Sequence, residues 1–388
     1  MDYDVIIIGG GASGLMCAIE AGQRGRNVAV LEHSPSVGQK ILVSGGGRCN
    51  FTNLNVSNKN YSSLNPDFCR SALAGFKPDN FTALMDRYNI KYYEKSAGQL
   101  FCEGSSRQIV SMLQAECKKM GVEIFLKCNV KTISHHGRFI LKTDRGEYSA
   151  GALVIATGGL SYKNLGASGL GYDIAQQFGH SIIGLRPSLV PFTFNKTDRQ
   201  RFSILSGLSF PVSLRFQDRI LHGGMLFTHR GLSGPAILQA SLYWDGKQSV
   251  TVDLLPDRDV LKIMKEERLA GCRVLCKNYL CRYLPSKLAG LLFGDNKQRL
   301  CDTSDSELKN IADKLHNWRL MPEGTEGYDT AEVTSGGINT DEISSKTFES
   351  KKMRGLYFIG EVLDVTGTLG GYNLHWAWAS GFSAGQFV

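Results

Sequence analysis

Two hydrophobic rhythms run along the chain. Near its start, Asp4-Val5-Ile6-Ile7-Ile8 is an almost unbroken β-branched run, the pattern of a strand buried on both faces of a parallel sheet. Gly9-Gly10-Gly11-Ala12-Ser13-Gly14 follows, then a helical stretch from Leu15 to Gln23 stopped by Gly25, then a second run, Val28 to Leu31, closing on Glu32. Strand, glycine turn, helix, strand and acid form a βαβ unit. Two later runs repeat the theme. Leu153-Val154-Ile155 stops at Ala156-Thr157-Gly158-Gly159, and Leu356 to Ile359 stops at Gly360-Glu361, ahead of a last helical stretch ending near Ala384. Between them the rhythm changes: Val190 to Phe194, Pro211 to Phe216 and Val250 to Leu254 alternate as half-exposed strands do. From Arg258 to Leu315 the period is helical, with Leu280, Leu284, Leu288 and Leu291-Leu292 as a stripe, and strand-like text returns at Ala331-Glu332-Val333.

The glycine turn carries the first chemistry. Gly9 makes the tight turn, Gly11 lets the backbone approach a pyrophosphate, and Gly14 lets helix and strand pack closely. The helix start presents free N–H groups and a positive dipole end to phosphate. Glu32 follows Gly11 by 21 residues, the distance at which a carboxylate takes adenosine ribose hydroxyls. This front end fits NAD and FAD alike. The C-terminal segments favour FAD: Glu361 and Asp364 are placed to accept hydrogen bonds from ribityl hydroxyls, and the start of the last helix offers positive potential to the N1–C2=O edge of a reduced flavin.

Longer blocks carry a family resemblance. Gly38-Gln39-Lys40 leading into Ser44-Gly45-Gly46-Gly47-Arg48-Cys49-Asn50-Phe51-Thr52-Asn53, the block Phe227-Thr228-His229-Arg230-Gly231-Leu232-Ser233-Gly234-Pro235, Thr334-Ser335-Gly336-Gly337 and Gly371-Tyr372-Asn373-Leu374 resemble the aminoacetone-oxidase/bile-acid-reductase-like FAD family of two-dinucleotide-binding-domain flavoproteins. The matches run from residue 4 to residue 385. Leu170, usually polar or acidic in the family, and His375, where Gln is expected, depart from the pattern.

The resemblance implies an α/β fold. A Rossmann-like, glutathione-reductase-like FAD-binding domain (residues 1–190 and 342–388) is interrupted by a β-rich, barrel-like domain (191–257 and 316–341) that carries a helical insert (258–315). It carries the FAD site onto Gly9, Gly11, Ala12, Ser13, Gly14, Glu32, His33, Lys40, Ser44, Gly45, Gly46, Arg48, Cys49, Asn50 and Val130, together with Ala156, Thr157, Gly158, Gly360, Glu361, Asp364, Gly371, Tyr372, Asn373 and Leu374. No second strand-glycine-helix fingerprint exists for a resident nicotinamide cofactor, so NADPH or NADH, if used, binds transiently. His229 is the leading general acid, because imidazole titrates near working pH. Cys49 is a proton donor if it lies beside the flavin and a buried filler if it does not. Arg48 suits phosphate and carbonyl groups, and His375 is a proton-relay candidate at the head of the last helix.

Composition narrows the class. In 388 residues, 42% apolar and 21% charged, two or three domains are expected, and disorder or a small disulfide scaffold is excluded. No apolar run reaches the ~20 residues of a membrane span, and a strand pattern stands where a signal peptide would be, so a cytoplasmic protein is expected. Ten scattered cysteines without a CxxC pair read as core thiols, and no metal site is expected. The net charge of +8 suits an anionic partner or simple solubility.

The insert sharpens the charge argument. It holds twelve Lys/Arg against eight Asp/Glu, and Lys262 to Lys287 alone holds seven against two, with Tyr279 and Tyr283 available to stack on bases. Ribosomal RNA is therefore an expected partner; a small-molecule substrate alone is the alternative, and DNA is not expected. Family members are associated with three activities: oxidation of small amines, reduction of steroid enones, and reduction of a ribosomal-RNA uridine to dihydrouridine. Enone and uracil share a C=C bond polarised by a carbonyl, and uridine in 23S ribosomal RNA is the leading substrate. An amine oxidase is the first rival, and an RNA-binding module with a structural flavin is the second.

Overall fold

The β-branched N-terminal run becomes strand Asp2–Ile8, the centre of a seven-stranded sheet. Val28–Leu31 pairs with it in parallel on one side and Gly146–Ile155 on the other; Glu123–Phe125 and Leu356–Phe358 extend the parallel set outward. The long strand Gly146–Ile155 divides its length between neighbours. Residues 153–155 pair with Leu356–Phe358, while residues 146–150 pair antiparallel with Phe139–Thr143, which in turn pairs with Val130–His135. Its deep half, residues 153–155, is fully buried, as the uninterrupted apolar text requires.

The computed structural model describes residues 1–294 and 296–388 and divides the chain into two units, Met1–Ser188 with Tyr328–Val388, and Leu189–Gly327. In the first unit the opening helix Ala12–Gln23 and the last helix Tyr372–Gly385 run the same way and pack very closely. A side-chain carbon on Gly381 would overlap the Ser13 carbonyl, and one on Gly385 would overlap Glu20, so these two glycines set the helix spacing. The last helix buries Trp376 and Trp378, whose indole N–H groups donate to the carbonyls of Gly360 and Phe51 at 3.0 and 2.9 Å. Aromatic bulk with a satisfied polar end fixes the helix against the sheet.

The structure moves one expected boundary. Val333–Ile338 pairs antiparallel with Ile182–Ser188, so residues 328–341 belong to the first unit and not to the β-rich segment to which their alternation assigns them. The second unit holds a seven-stranded antiparallel sheet whose pairing order runs from Trp318–Leu320 at one edge to Gly324–Thr325 at the other. Four α-helices within residues 258–315 share its core. The leucine stripe spans two of them, Cys276–Leu280 and Ser286–Phe293, because Pro285 ends the run between; Leu280, Leu284, Leu288 and Leu292 are nonetheless all buried. Tyr279 is fully buried and Tyr283 half-buried beneath Arg258, which corrects their reading as base-stacking rings. All ten cysteines are free thiols, and seven are buried. Among the described residues no helix is long and apolar enough to cross a membrane, and no three His, Cys, Asp or Glu side chains are gathered to hold a metal.

Candidate functional site

The glycine turn at the end of the first strand separates packing from binding. A side-chain carbon on Gly9 would overlap the Ala156 carbonyl, and one on Gly14 would overlap the Gly9 carbonyl, so both glycines close protein against protein. A side-chain carbon on Gly11 would meet nothing within 4 Å beyond its chain neighbours. Its φ of −82° suits any residue, so only the space in front of it explains a glycine there. The helix that begins at Ala12 has no side-chain cap, leaving its first N–H groups open toward that space, with Ser13 buried behind them. An uncapped helix start facing an open glycine is the cradle a pyrophosphate needs.

Glu32, buried at the end of the second strand, accepts the Gly10 N–H at 2.7 Å and the Ser34 N–H at 2.8 Å. Each oxygen keeps a lone pair for a further donor such as a ribose hydroxyl. His33 lies 3.1 Å from the same carboxylate. The Cys128 N–H donates to the Glu32 carbonyl at 2.9 Å, which brings the segment entering Val130 to this end of the sheet.

On the other side of the sheet centre, Gly360 follows Leu356–Phe358 and lies against Ser13: a side-chain carbon there would stand 2.6 Å from the Ser13 hydroxyl oxygen. Lys40 forms an ion pair with Glu361, whose other oxygen accepts the Thr334 N–H at 2.9 Å. The Thr334 hydroxyl accepts the Leu160 N–H at 2.8 Å and meets Ser161 at 3.1 Å. This network ties together the helix Gln39–Val43, the Ala156–Gly159 turn, the Thr334–Gly337 block and the Gly360–Glu361 turn. Thr334 was missed as a site residue; its signal was the TSGG block, but its partnership with Glu361 is visible only in three dimensions. The Thr157 and Ser335 hydroxyls are buried without a partner among the described residues, as are those of Thr340 and Thr366. Orphaned buried hydroxyls in the Ala156–Gly159 turn and the Thr334–Gly337 block fit a ligand with many hydrogen-bonding groups. Together with the open Gly11 cradle, these residues fit FAD.

The SGGGRCN loop leaves the helix Gln39–Val43 with Gly45, Gly46 and Gly47 at φ of 57°, 67° and 86°. No neighbour fills the side-chain positions of Gly46 and Gly47, so bare backbone faces outward. Arg48 is exposed and donates to the Tyr93 hydroxyl at 3.3 Å. Asn50 opens strand Asn50–Asn53, and a side-chain carbon on Gly371, at the start of the last helix, would lie 2.7 Å from its side-chain amide. The Asn373 amide exchanges two hydrogen bonds with Gly367, at 2.8 and 2.9 Å, and the Tyr61 hydroxyl donates to the Tyr372 carbonyl at 3.0 Å. Asp364 is spent on the Leu64 N–H at 2.9 Å, and burial raises its carboxyl above the usual range.

Two proton-donor candidates are structural. Cys49 is fully buried and its thiol is pushed up to about 12 by burial, which keeps it protonated and makes it a weak acid away from solvent. His375 does not open the last helix; it lies inside the first turn, fully buried, with Nδ1 at 2.7 Å from the Thr52 hydroxyl and Nε2 at 3.1 Å from the Phe76 carbonyl. Burial drops its imidazole to about 4, so it is neutral with both nitrogens occupied and relays no proton to solvent. His229 differs. It sits in the second unit on an exposed bend after strand Arg219–Phe227, where the Thr228 hydroxyl accepts the N–H groups of Arg230 and Gly231 at 3.2 and 3.0 Å; its ring has no partner among the described residues.

Comparison with known proteins follows the same lines. A family model for the Rossmann domain of HI0933-like proteins matches residues 3–387. The chain is 45% identical over 387 residues to the ribosomal RNA dihydrouridine synthase of Haemophilus influenzae, covering 97% of this chain and 96% of that protein. The protein of the same name from Escherichia coli is 46% identical over 394 residues, covering 99% and 97%. The 3-dehydro-bile acid delta(4,6)-reductase of Clostridium scindens is 30% identical over 404 residues, covering 98% and 97%.

Proposed function

Because the chain belongs to the HI0933-like Rossmann-domain family, we propose that it is an FAD-dependent reductase of an activated C=C bond, acting in the cytosol on a uridine of 23S ribosomal RNA to give dihydrouridine. The observation that carries this reading is the full-length likeness to two proteins named for that product. The bile-acid reductase adds chemical support, since a conjugated enone and a uracil ring place the same demand on a catalyst.

The chain's residues divide the work. The open N–H groups at Gly11 to Ser13 would hold the pyrophosphate, Glu32 would take the adenosine ribose, and the Lys40–Glu361–Thr334 network with the bare SGGG backbone would border the flavin end. FAD, when bound, would supply the hydride that the β-carbon of the polarised bond takes up. The chain must then deliver a proton to the α-carbon. We assign that role to His229, whose ring is exposed and unengaged, whereas Cys49 and His375 are sealed in the core. A nicotinamide donor, NADPH or NADH, would bind transiently and supply the electrons.

The test is the reoxidation of anaerobically reduced holoprotein by unmodified ribosomal RNA. His229→Ala is expected to slow it by about 100-fold or more, the usual worth of a positioned acid, with FAD content unchanged. An unchanged rate removes His229 from the role.

A further inference from the structure

We propose that the short ribbon where residues 272–275 meet residues 298–300 of the second unit, joined by one antiparallel bridge, is an RNA-docking surface, with Arg273 and Arg299 as its phosphate contacts. The inference rests on the reading of ribosomal RNA as substrate and says where the chain holds it.

The excess positive charge of the insert is unevenly available. Arg268 donates to the Thr303 carbonyl at 2.9 Å and to Asp305 at 2.5 Å, and Lys265 meets the same carboxylate at 3.1 Å. Arg282 lies over the Tyr279 ring and 3.9 Å from Glu267, and Arg258 covers Tyr283. These four cations are already engaged by carboxylates, a carbonyl or aromatic rings of the chain itself. Arg273 and Arg299 are exposed, and among the described residues neither guanidinium has a hydrogen-bond or ion-pair partner.

Backbone pairing brings the segments that carry the two arginines side by side. Leu275 pairs with Arg299, flanked by hydrogen bonds from Cys276 N–H to the Gln298 carbonyl at 3.0 Å and from Leu300 N–H to the Val274 carbonyl at 2.9 Å. That is the non-hydrogen-bonded type of antiparallel pair, in which side chains stand closest. Arg273 lies two residues before Leu275, and the Cys301 N–H donates to the Cys272 carbonyl at 2.9 Å, so the segment carrying Arg273 stays beside the one that leaves Arg299. Leu275 and Val274 are exposed at 36% and 38%, and Leu269, which ends the helix leading to the ribbon, at 83%. Guanidinium forks beside uncovered apolar side chains match a ligand that offers phosphate oxygens next to flat apolar faces. Single-stranded or looped RNA is such a ligand, because its bases are splayed outward.

The experiment measures binding of holoprotein to an unmodified 23S ribosomal RNA transcript by filter retention over a series of salt concentrations. The double variant Arg273→Gln/Arg299→Gln is compared with Lys118→Gln/Lys119→Gln, which removes the same charge from the exposed end of helix Ser106–Lys119 in the first unit. The ribbon variant is expected to bind about tenfold more weakly near physiological salt, with a salt slope shallower by about 1.5, while the control stays within about twofold. Unchanged flavin content and unfolding midpoint in both variants verify the fold. Equal losses in both variants, no loss in the ribbon variant, or equal competition by duplex DNA overturns the ribbon assignment. A wild type that reduces RNA uridine alongside an unaffected ribbon variant overturns this inference alone. A wild type that neither binds the transcript nor reduces its uridines overturns the functional reading as well.

Discussion

Gly11→Val is expected to yield a folded protein that purifies without flavin, whereas Gly14→Val is expected not to fold. The two positions lie in one turn of backbone, yet the structure separates them. Gly11 has an ordinary extended conformation and empty space where a side chain would go, so valine there disturbs nothing in the protein and fills only the cradle before the helix start. The cost falls on the cofactor: a branched side chain where a pyrophosphate must touch the amides should weaken FAD by at least about 100-fold, or about 3 kcal/mol. At Gly14 the added carbon overlaps the Gly9 carbonyl and presses on Ala156, each directly after a central strand of the sheet. Overpacking against backbone at such a junction should cost more than about 3 kcal/mol of a total that is rarely above about 15. Flavin absorbance and circular dichroism of the two purified variants check both halves. A flavin-loaded Gly11→Val protein would place the pyrophosphate elsewhere.

The second large effect concerns pH. His375, sealed from solvent, titrates at about 4 in the folded protein and near 6.5 in an unfolded chain. Below about 6.5 the unfolded state takes up a proton that the folded state refuses, so stability is fully present above that pH and is lost as the pH falls toward 4. The loss from this one residue amounts to about 3 kcal/mol between pH 7 and pH 4. Glutamine offers a donor for Phe76 and an acceptor for Thr52 without a titrating proton. His375→Gln should therefore match the wild type at pH 7 to within about 1 kcal/mol and be the more stable protein near pH 4. Denaturant unfolding at both pH values decides it; parallel curves would show that the imidazole is not the source. Reduction of substrate should survive the change, and a selective loss of flavin reoxidation would restore a proton-relay role.

What could be read from the sequence was whatever the chain fixes locally. The strand Val28–Leu31, the glycine turn and Glu32 fall where their spacing puts them, because a βαβ unit is closed by contacts within thirty or so residues. The Gly11 cradle was legible for the same reason. Long-range pairing was not: nothing in Ala331-Glu332-Val333 says that the strand starting at Val333 will pair with Ile182–Ser188 instead of joining the antiparallel sheet of the second unit. Residue type also misled where burial decides. Cys49, His375 and Tyr279 were read by what thiol, imidazole and phenol can do in water, and all three lie in the core. Pro285 shows the reverse, a local break in the leucine stripe that the sequence displayed and the helical period concealed.

The central claim is that this chain makes dihydrouridine in ribosomal RNA through FAD held at Gly11. Nucleoside mass spectrometry of ribosomal RNA from cells with and without the gene tests it most directly. Dihydrouridine should disappear on deletion and return with the intact gene but not with Gly11→Val. An unchanged dihydrouridine level on deletion, or full restoration by the Gly11→Val protein, would contradict the account.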